Sequence, residues 1–277
     1  MSPPPPFVGL TARAQKDMVT NFAHYARRVW PPILPSVVFF ALDPAMHVHF
    51  QHLNLTSHLV SNATFSADKQ SFRSKEYNKI VGHKFHLVLD VLKRGYDVFL
   101  IDVDVVLLKH PLSFIMDLAS CDMTVTLESF DSLKLMDINP TRFGGWPDFK
   151  LFINTGVLLW RSTPKTIALI EEFLTPRWRR PNSGDDQNEF NKFMLAHFDD
   201  AALSAAQVDR RSYRDVHRGA SCFEYGNLSM QILPASLFPG SYHAEFRMPQ
   251  RAMMEPVLVH FNVRCAAPRA RAHTLRR

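Results

Sequence analysis

The stretch Tyr96–Leu112, YDVFLIDVDVVLLKHPL, limits the folds open to this 277-residue chain more than any other. Val98, Phe99, Leu100 and Ile101 form a continuous apolar run of strand-forming residues, the pattern of a strand buried on both faces. The run ends in Asp102-Val103-Asp104. In extended chain, residues i and i+2 share a face, so the two carboxylates are expected side by side. Two unpaired acids at the end of a buried strand repel each other, and a divalent cation between them reverses that cost. The segment leading in, Tyr77–Arg94, is helical in pattern: Ile80, Val81, Lys84, Phe85, Val88, Leu89 and Leu92 recur at spacings of three and four, and Gly95 suits a C-cap. A helix feeding a doubly buried strand points to an α/β sheet covered on both sides.

The flanking segments fit that class. Ser36–Asp43, SVVFFALD, reads as a first buried strand whose carboxyl end carries Asp43, where open α/β sheets bind ligands. Thr11–Trp30 reads as a helix stopped by Pro31-Pro32, and Pro3–Pro6 as an extended arm. His47-Val48-His49-Phe50 is expected as a second strand. Leu112–Leu118 after Pro111 reads as a short helix, and Met123–Leu127 as a strand. Asp131–Lys150 is irregular and carries Trp146, placed either to stack on a sugar or to pin its loop. Leu151–Trp160 is strand-like but interrupted by Asn154-Thr155-Gly156, which packing alone does not favour. Pro164 opens a helix through Leu174, Asp185-Asp186-Gln187 opens another through Ala196, and Gln231–Leu233 and Val257–Phe261 are late strands. No repeat or linker divides the chain. The reading is a proline-rich arm and helix over 1–35, one domain over 36–263 and a basic tail over 264–277.

Composition removes several classes. Hydrophobic content of 46% with 21% charged residues describes a globular protein with a large core. The net charge of +6 is concentrated in the acid-free tail from Arg264 to Arg277, with no basic stripe, so no nucleic-acid partner is expected. No run reaches the roughly 18 apolar residues of a membrane span. Cys121, Cys222 and Cys265 lack metal-type spacing, leaving one disulfide with one free thiol, or three thiols. Three N-x-S/T sequons, at Asn54, Asn62 and Asn227, hint at the secretory pathway.

The ordered set of these blocks resembles the nucleotide-diphospho-sugar transferases, glycosyltransferases of the GT-A fold, in particular the plant and algal arabinosyl-, xylosyl- and galactosyltransferases of family GT77. VVFFALD, KFHLVLDVLKRGYDV, the D-x-D segment, FINTGVLLWRST, DDQNEFN, LPASLFPGS and VLVHFN fall in the family's order from Ser36 to Asn262. The resemblance implies a single α/β GT-A domain, Rossmann-like, with a mixed central sheet flanked by helices. It implies Asp102, Asp104 and His260 as ligands of Mn2+ or Mg2+, and Asp43 at the nucleotide base or ribose. Lys84 falls near the donor phosphates, Asn154 beside the donor sugar, and Asp186 with Gln187 at the reacting centre. Relatives follow the late histidine with glycine and lysine where this chain reads VRCAAPRARA, which makes Arg264 the substitute phosphate-binding base. The implied activity is metal-dependent transfer of a hexose or pentose from a UDP-sugar to a glycan or glycoprotein acceptor, with retention of configuration, in the Golgi lumen or elsewhere in the secretory pathway.

Two other readings share these residues. Phosphatases of the haloacid dehalogenase type also end an apolar strand in D-x-D, using the first acid as nucleophile and the second as general acid. Their motif sits on the first strand, whereas here about a hundred residues precede it. A non-catalytic protein that binds sugar nucleotides or glycans could keep the same fold. The sequence leaves the sugar and acceptor open, and a cytoplasmic location stands as the alternative to a luminal one.

Overall fold

The computed structural model describes residues 7–11, 15–29, 37–60, 74–115, 121–127, 153–176, 185–197, 222–233, 237–238 and 256–260. In chain order these form β1 (Phe7–Thr11), α1 (Lys16–Val29), β2 (Val37–Ala41), α2 (Pro44–His52), β3 (Ser57–Leu59), α3 (Lys75–Lys93), β4 (Val98–Ile101) and β5 (Val105–Leu107). Then come α4 (Pro111–Ile115), β6 (Met123–Leu127), β7 (Ile153–Trp160), α5 (Pro164–Phe173), α6 (Asp186–His197), β8 (Phe223–Tyr225), β9 (Leu228–Ile232) and β10 (Leu258–His260).

Eight of the strands make one mixed sheet in the order β3-β2-β1-β4-β7-β6-β9-β8. β1 pairs in parallel with both β2 and β4, β2 in parallel with β3, and β6 in parallel with β9. β7 runs against both of its neighbours, β4 and β6. The carboxyl ends of β2 and β4 therefore meet the amino end of β7 along one edge of the sheet. Ile101 pairs with Val157, which leaves Asn154, Thr155 and Gly156 just past the end of β4. A second, two-stranded sheet pairs β5 with β10 in antiparallel fashion and sets His260 opposite Val105.

Period-two alternation along β4 and β7 feeds two cores. Phe99, Ile101, Val157 and Leu159 pack with Phe39, Phe50 and the Val19, Phe22 and Ala26 face of α1. Val98, Leu100, Leu158 and Trp160 face the opposite way, toward Phe85, Val88 and Leu92 of α3, Ile170 and Phe173 of α5, and Phe190 and Phe193 of α6. Phe85 lies against Phe173 and Phe190 with ring centroids 4.9 and 5.2 Å apart. Each such buried ring contributes about 1.5–3 kcal/mol relative to exposure, while the half-exposed Lys93–Glu171 ion pair joining α3 to α5 is worth about 0–1 kcal/mol. Ring packing sets these helices on the sheet. α3 ends where expected: Gly95 takes φ +85°, its N–H donates to the Leu92 carbonyl, and the Tyr96 N–H donates to that of Val91. This paired C-cap turns the chain into β4.

The structure departs from the sequence reading in four places. Phe7–Thr11 is a strand between β2 and β4, so the sheet draws on residues before position 36, which the sequence had assigned to an arm and helix. His47–Phe50 is helical, not a strand: Asp43 caps α2 by accepting the Met46 N–H at 2.8 Å, and Pro44 opens the helix. The Asp102–Asp104 triplet is not extended but turns between β4 and β5. β3, β5 and β8 are additional strands of three residues each. The loop with Trp146, the Asn62 sequon and the tail with Arg264 lie outside the described residues.

Candidate active site

The sheet edge where β4 stops and β7 begins gathers the residues that carry chemistry. His260 on β10 points its Nε2 to within 3.1 Å of Asp104 Oδ1 and 4.0 Å of Asp102 Oδ2. One ligand atom from each of the three residues lies within 4.8 Å of the others. The turn that replaces the expected extended triplet still aims both carboxylates at one imidazole, because β5 returns alongside β10 and brings His260 back to the end of β4. Two hard carboxylates with one imidazole suit a divalent ion such as Mn2+ or Mg2+.

Gly156 makes room for this cluster. A Cβ at that position would overlap His260 Cε1 and come to 2.8 Å from both Asp102 Oδ2 and His260 Nε2. The backbone there is held from two directions: the Asp102 N–H donates to the Gly156 carbonyl at 2.8 Å, and the Gly156 N–H donates to Asn154 Oδ1 at 2.8 Å. The interruption seen in the sequence corresponds to a bulge. Val125 pairs with Leu158 but Thr126 pairs with Asn154, so three extra residues of β7 are accommodated between them.

Lys84 supplies a fixed positive charge behind the acids. The sequence places it on an ordinary helix face, yet it is only 4% exposed. Its ammonium contacts the Asp186 carboxylate directly, lies 3.6 Å from Asp102 Oδ1, and donates to the Thr155 carbonyl at 3.1 Å. Burial alone would pull its pKa down, but Asp102 and then Asp186 outweigh that and hold it above the ordinary lysine value. The Asp102 carboxyl is pushed up by crowding against protein and by Asp104, with Lys84 and His260 opposing. Its side chain stays 39% open to solvent, so that displacement is partly relieved on one side.

Asp186 and Gln187 reach the same edge from the first turn of α6. Asp185 caps that helix by accepting the Asn188 N–H at 2.9 Å. Asp186 Oδ2 accepts from Thr155 Oγ1 at 2.9 Å, and Gln187 Oε1 accepts the Thr155 N–H at 3.1 Å. Asn191, one turn on, clamps Ile153 through both its backbone N–H and carbonyl, at 2.7 and 2.8 Å. Asn154, Asp186 and Gln187, expected near one reacting centre, are thus joined through Thr155 to Lys84 and Asp102. Asp43 lies at the carboxyl end of β2, buried at 6% exposure, with Oδ1 engaged in the α2 cap.

Sequence reasoning missed three contributors. Tyr77, seven residues before Lys84 and so on the same face of α3, has its hydroxyl pKa raised by burial and by Asp186, Asp102, Asp185 and Asp104. Thr155 is the hydrogen-bonding hub of the edge. Asn191 is the clamp on β7. The spacing of Tyr77 from Lys84 was the one available signal; the other two depend on contacts across more than thirty residues.

An α/β fold with a mixed sheet and a two-carboxylate, one-histidine cluster at its strand ends is the arrangement of a GT-A domain. The nucleotide-diphospho-sugar transferase family signature aligns with residues 32–267, and the chain belongs to that family. It is 29% identical over 218 residues to arabinosyltransferase XEG113 of Arabidopsis thaliana, covering 73% of this chain and 29% of the relative. An uncharacterised protein of the same plant is 28% identical over 214 residues, covering 75% of this chain and 59% of the relative. The chain therefore spans less than two thirds of either relative's length. Among solved structures, the bifunctional glycosyltransferase WbbM superposes with a TM-score of 0.52 at 10% identity, over 95% of this chain and 46% of that one. An active-site mutant of LgtC superposes with a TM-score of 0.50 at 13% identity, over 93% of this chain and 87% of that one. These likenesses bear out the GT-A fold, and the family match sets aside the phosphatase reading.

Proposed function

We propose that the chain transfers a sugar from a nucleotide-sugar donor, a UDP-sugar, to a glycan or glycoprotein acceptor with retention of configuration. The observation that carries this reading is the convergence of Asp102, Asp104 and His260 on one point at the ligand-binding edge of a transferase-family sheet. These three would hold a divalent cation, Mn2+ or Mg2+, which when bound offsets the negative charge of the departing diphosphate.

The chain's own residues account for the rest. Asp43, ending β2, is placed to meet the nucleotide's base or ribose, and Arg264 is the candidate second cation for the phosphates. Lys84 offsets part of the negative charge of Asp102 and Asp186 and holds the two carboxylates aligned before donor arrives. Asn154, Gln187 and Asp186 line the side on which the anomeric carbon turns cation-like, where an amide oxygen or carboxylate stabilises it. Their interlocking through Thr155 keeps that wall rigid. Retention then follows from attack on the face the diphosphate leaves, a donor phosphate oxygen accepting the acceptor's proton. The disulfide between Cys121 and Cys222 supports residence in an oxidising compartment, the Golgi lumen or elsewhere in the secretory pathway. Among the described residues no helix is long and apolar enough to cross a membrane.

Titration of UDP and UDP-sugars with and without Mn2+, followed by release of free UDP, tests the reading. UDP binding is expected to need the metal and to weaken at least about tenfold in Asp104→Ala, equivalent to about 1.4 kcal/mol. Metal-independent binding unchanged by the substitution would overturn it. Metal-dependent binding without turnover on any glycan acceptor would indicate a sugar-nucleotide-binding protein instead.

A further inference from the structure

The loop that closes α2 lies outside the candidate site and carries the sequon Asn54-Leu55-Thr56. Leu53 is the C-cap of the helix, and Asn54 follows with φ +52°, the one positive φ of a non-glycine residue among those described. Its N–H donates to the Gln51 carbonyl at 2.9 Å, and the Leu55 N–H donates to the Phe50 carbonyl at 2.9 Å. This is the same paired C-cap that Gly95 makes after α3, and asparagine is the usual substitute for glycine there. The cap explains an asparagine at position 54 but asks nothing of position 56.

Presentation is the second observation. Leu55 is 6% exposed and buried in the core with Phe39 and Phe50, whereas Asn54 and Thr56 on either side of it are both exposed. The Thr56 carbonyl accepts the Phe39 N–H at 3.0 Å, which fixes the loop while its side chain faces solvent. A rigid loop thus displays the amide and the hydroxyl of a complete acceptor motif. The Asn227 sequon differs. Asn227 is exposed in the turn between β8 and β9, but the Ser229 hydroxyl donates to Asp122 Oδ2 at 2.9 Å and accepts the Asp122 N–H at 2.9 Å. The hydroxyl of that motif is therefore tied to Asp122, whereas Thr56 is exposed.

We propose that Asn54 is an N-glycosylation site, occupied as the chain enters the secretory pathway, a proposal that rests on the luminal reading above. Asn54 Nδ2 forms a bond to C1 of the first sugar of a lipid-diphosphate-linked oligosaccharide. The C1–O bond to the diphosphate breaks, its electron pair leaves on the lipid diphosphate, and the amide gives up one proton. The glycan would sit at the start of β3, the edge strand of the eight-stranded sheet, and shield backbone groups that an edge otherwise offers to another chain.

The test is peptide mapping of the protein isolated from its own cells, with free thiols alkylated at lysis and glycans released by an amidase that converts the carrying asparagine to aspartate. The expected result is a disulfide-linked Cys121–Cys222 peptide together with a glycan on Asn54, and Asn227 bare. Finding the disulfide with Asn54 bare would overturn the proposal and leave the luminal reading standing. Finding both cysteines alkylated and Asn54 bare would overturn the two together. Thr56→Ala keeps the Asn54 cap and removes the acceptor motif. It is expected to abolish the glycan without altering metal-dependent UDP binding; a glycan persisting in this variant would also refute the assignment.

Discussion

Gly156 is the residue whose absence of a side chain matters most to the candidate site. Asp102 and Asp104 were legible as neighbours at a strand end, whereas His260 joined them only through the resemblance to the transferase family; the structure brings one ligand atom of each within 4.8 Å of the others. The space between them was not legible, because it depends on how closely β7 passes the end of β4. In Gly156→Ala the new methyl must displace the His260 imidazole, which is buried at 6% exposure and has little room to yield. Mn2+ affinity, read by titration without nucleotide, is expected to fall at least about tenfold, about 1.4 kcal/mol. Near-UV circular dichroism should remain that of the parent, since the clash falls on a side chain rather than on the sheet. Unchanged metal affinity would show that the ring adapts and that the glycine serves only the bulge. Lys84 teaches a related lesson: a lysine at helical spacing looks solvated until the helix is placed, and here β7 and α6 close over it.

At the scale of elements, the sequence was informative where a segment answers to its own pattern. α3, β4, α5 and α6 stand within a few residues of their expected limits, because apolar periodicity, a threonine cap before Pro164 and acids in a first turn are local signals. α2 was misread because His47-Val48-His49-Phe50 alternates like a strand, although Asp43-Pro44 before it is a helix start. β1 and β5 were obscured for another reason. Strands of three to five residues owe their existence to partners tens of residues away, and period-two patterns are short-lived in them. α6 offers a test of how an element positions chemistry. Phe190 is fully buried among Phe85, Trp160 and Phe173, one turn after Asp186 and Gln187. Phe190→Ala is expected to cost about 3–5 kcal/mol of stability in denaturant unfolding. A loss under about 1 kcal/mol would mean that α6 is held by its polar clamp at Asn191 rather than by ring packing.

Over the whole molecule, the far side of the sheet is tied by one covalent link and one half-buried carboxylate next to each other. Cys121–Cys222 spans 101 residues, and Asp122 follows directly. The Asp122 carboxylate accepts from the Ser229 N–H and hydroxyl, each at 2.9 Å, and from the Thr163 hydroxyl at 3.2 Å, joining β6, β9 and the start of α5. Burial pushes its carboxyl up, but the hydrogen bonds from Ser229 and Thr163, with Lys165 nearby, win and hold it below the usual aspartate value. A folded-state pKa below the unfolded one means that the ionised carboxylate stabilises the fold above about pH 4, the unfolded value. That contribution is lost as pH falls below it through the folded value. Asp122→Asn keeps the volume but weakens two accepted hydrogen bonds, so its melting temperature should lie below that of the parent at pH 7 and the gap should narrow as pH drops below 4. Reduction of the disulfide removes a constraint on the unfolded chain and should cost about 2–5 kcal/mol at any of these pH values. The two effects are therefore separable in one set of melts: pH moves the Asp122 contribution and reductant moves the disulfide's. A gap between parent and Asp122→Asn that stays constant from pH 7 to pH 3 would mean that this carboxylate's charge contributes nothing to holding β6 against β9.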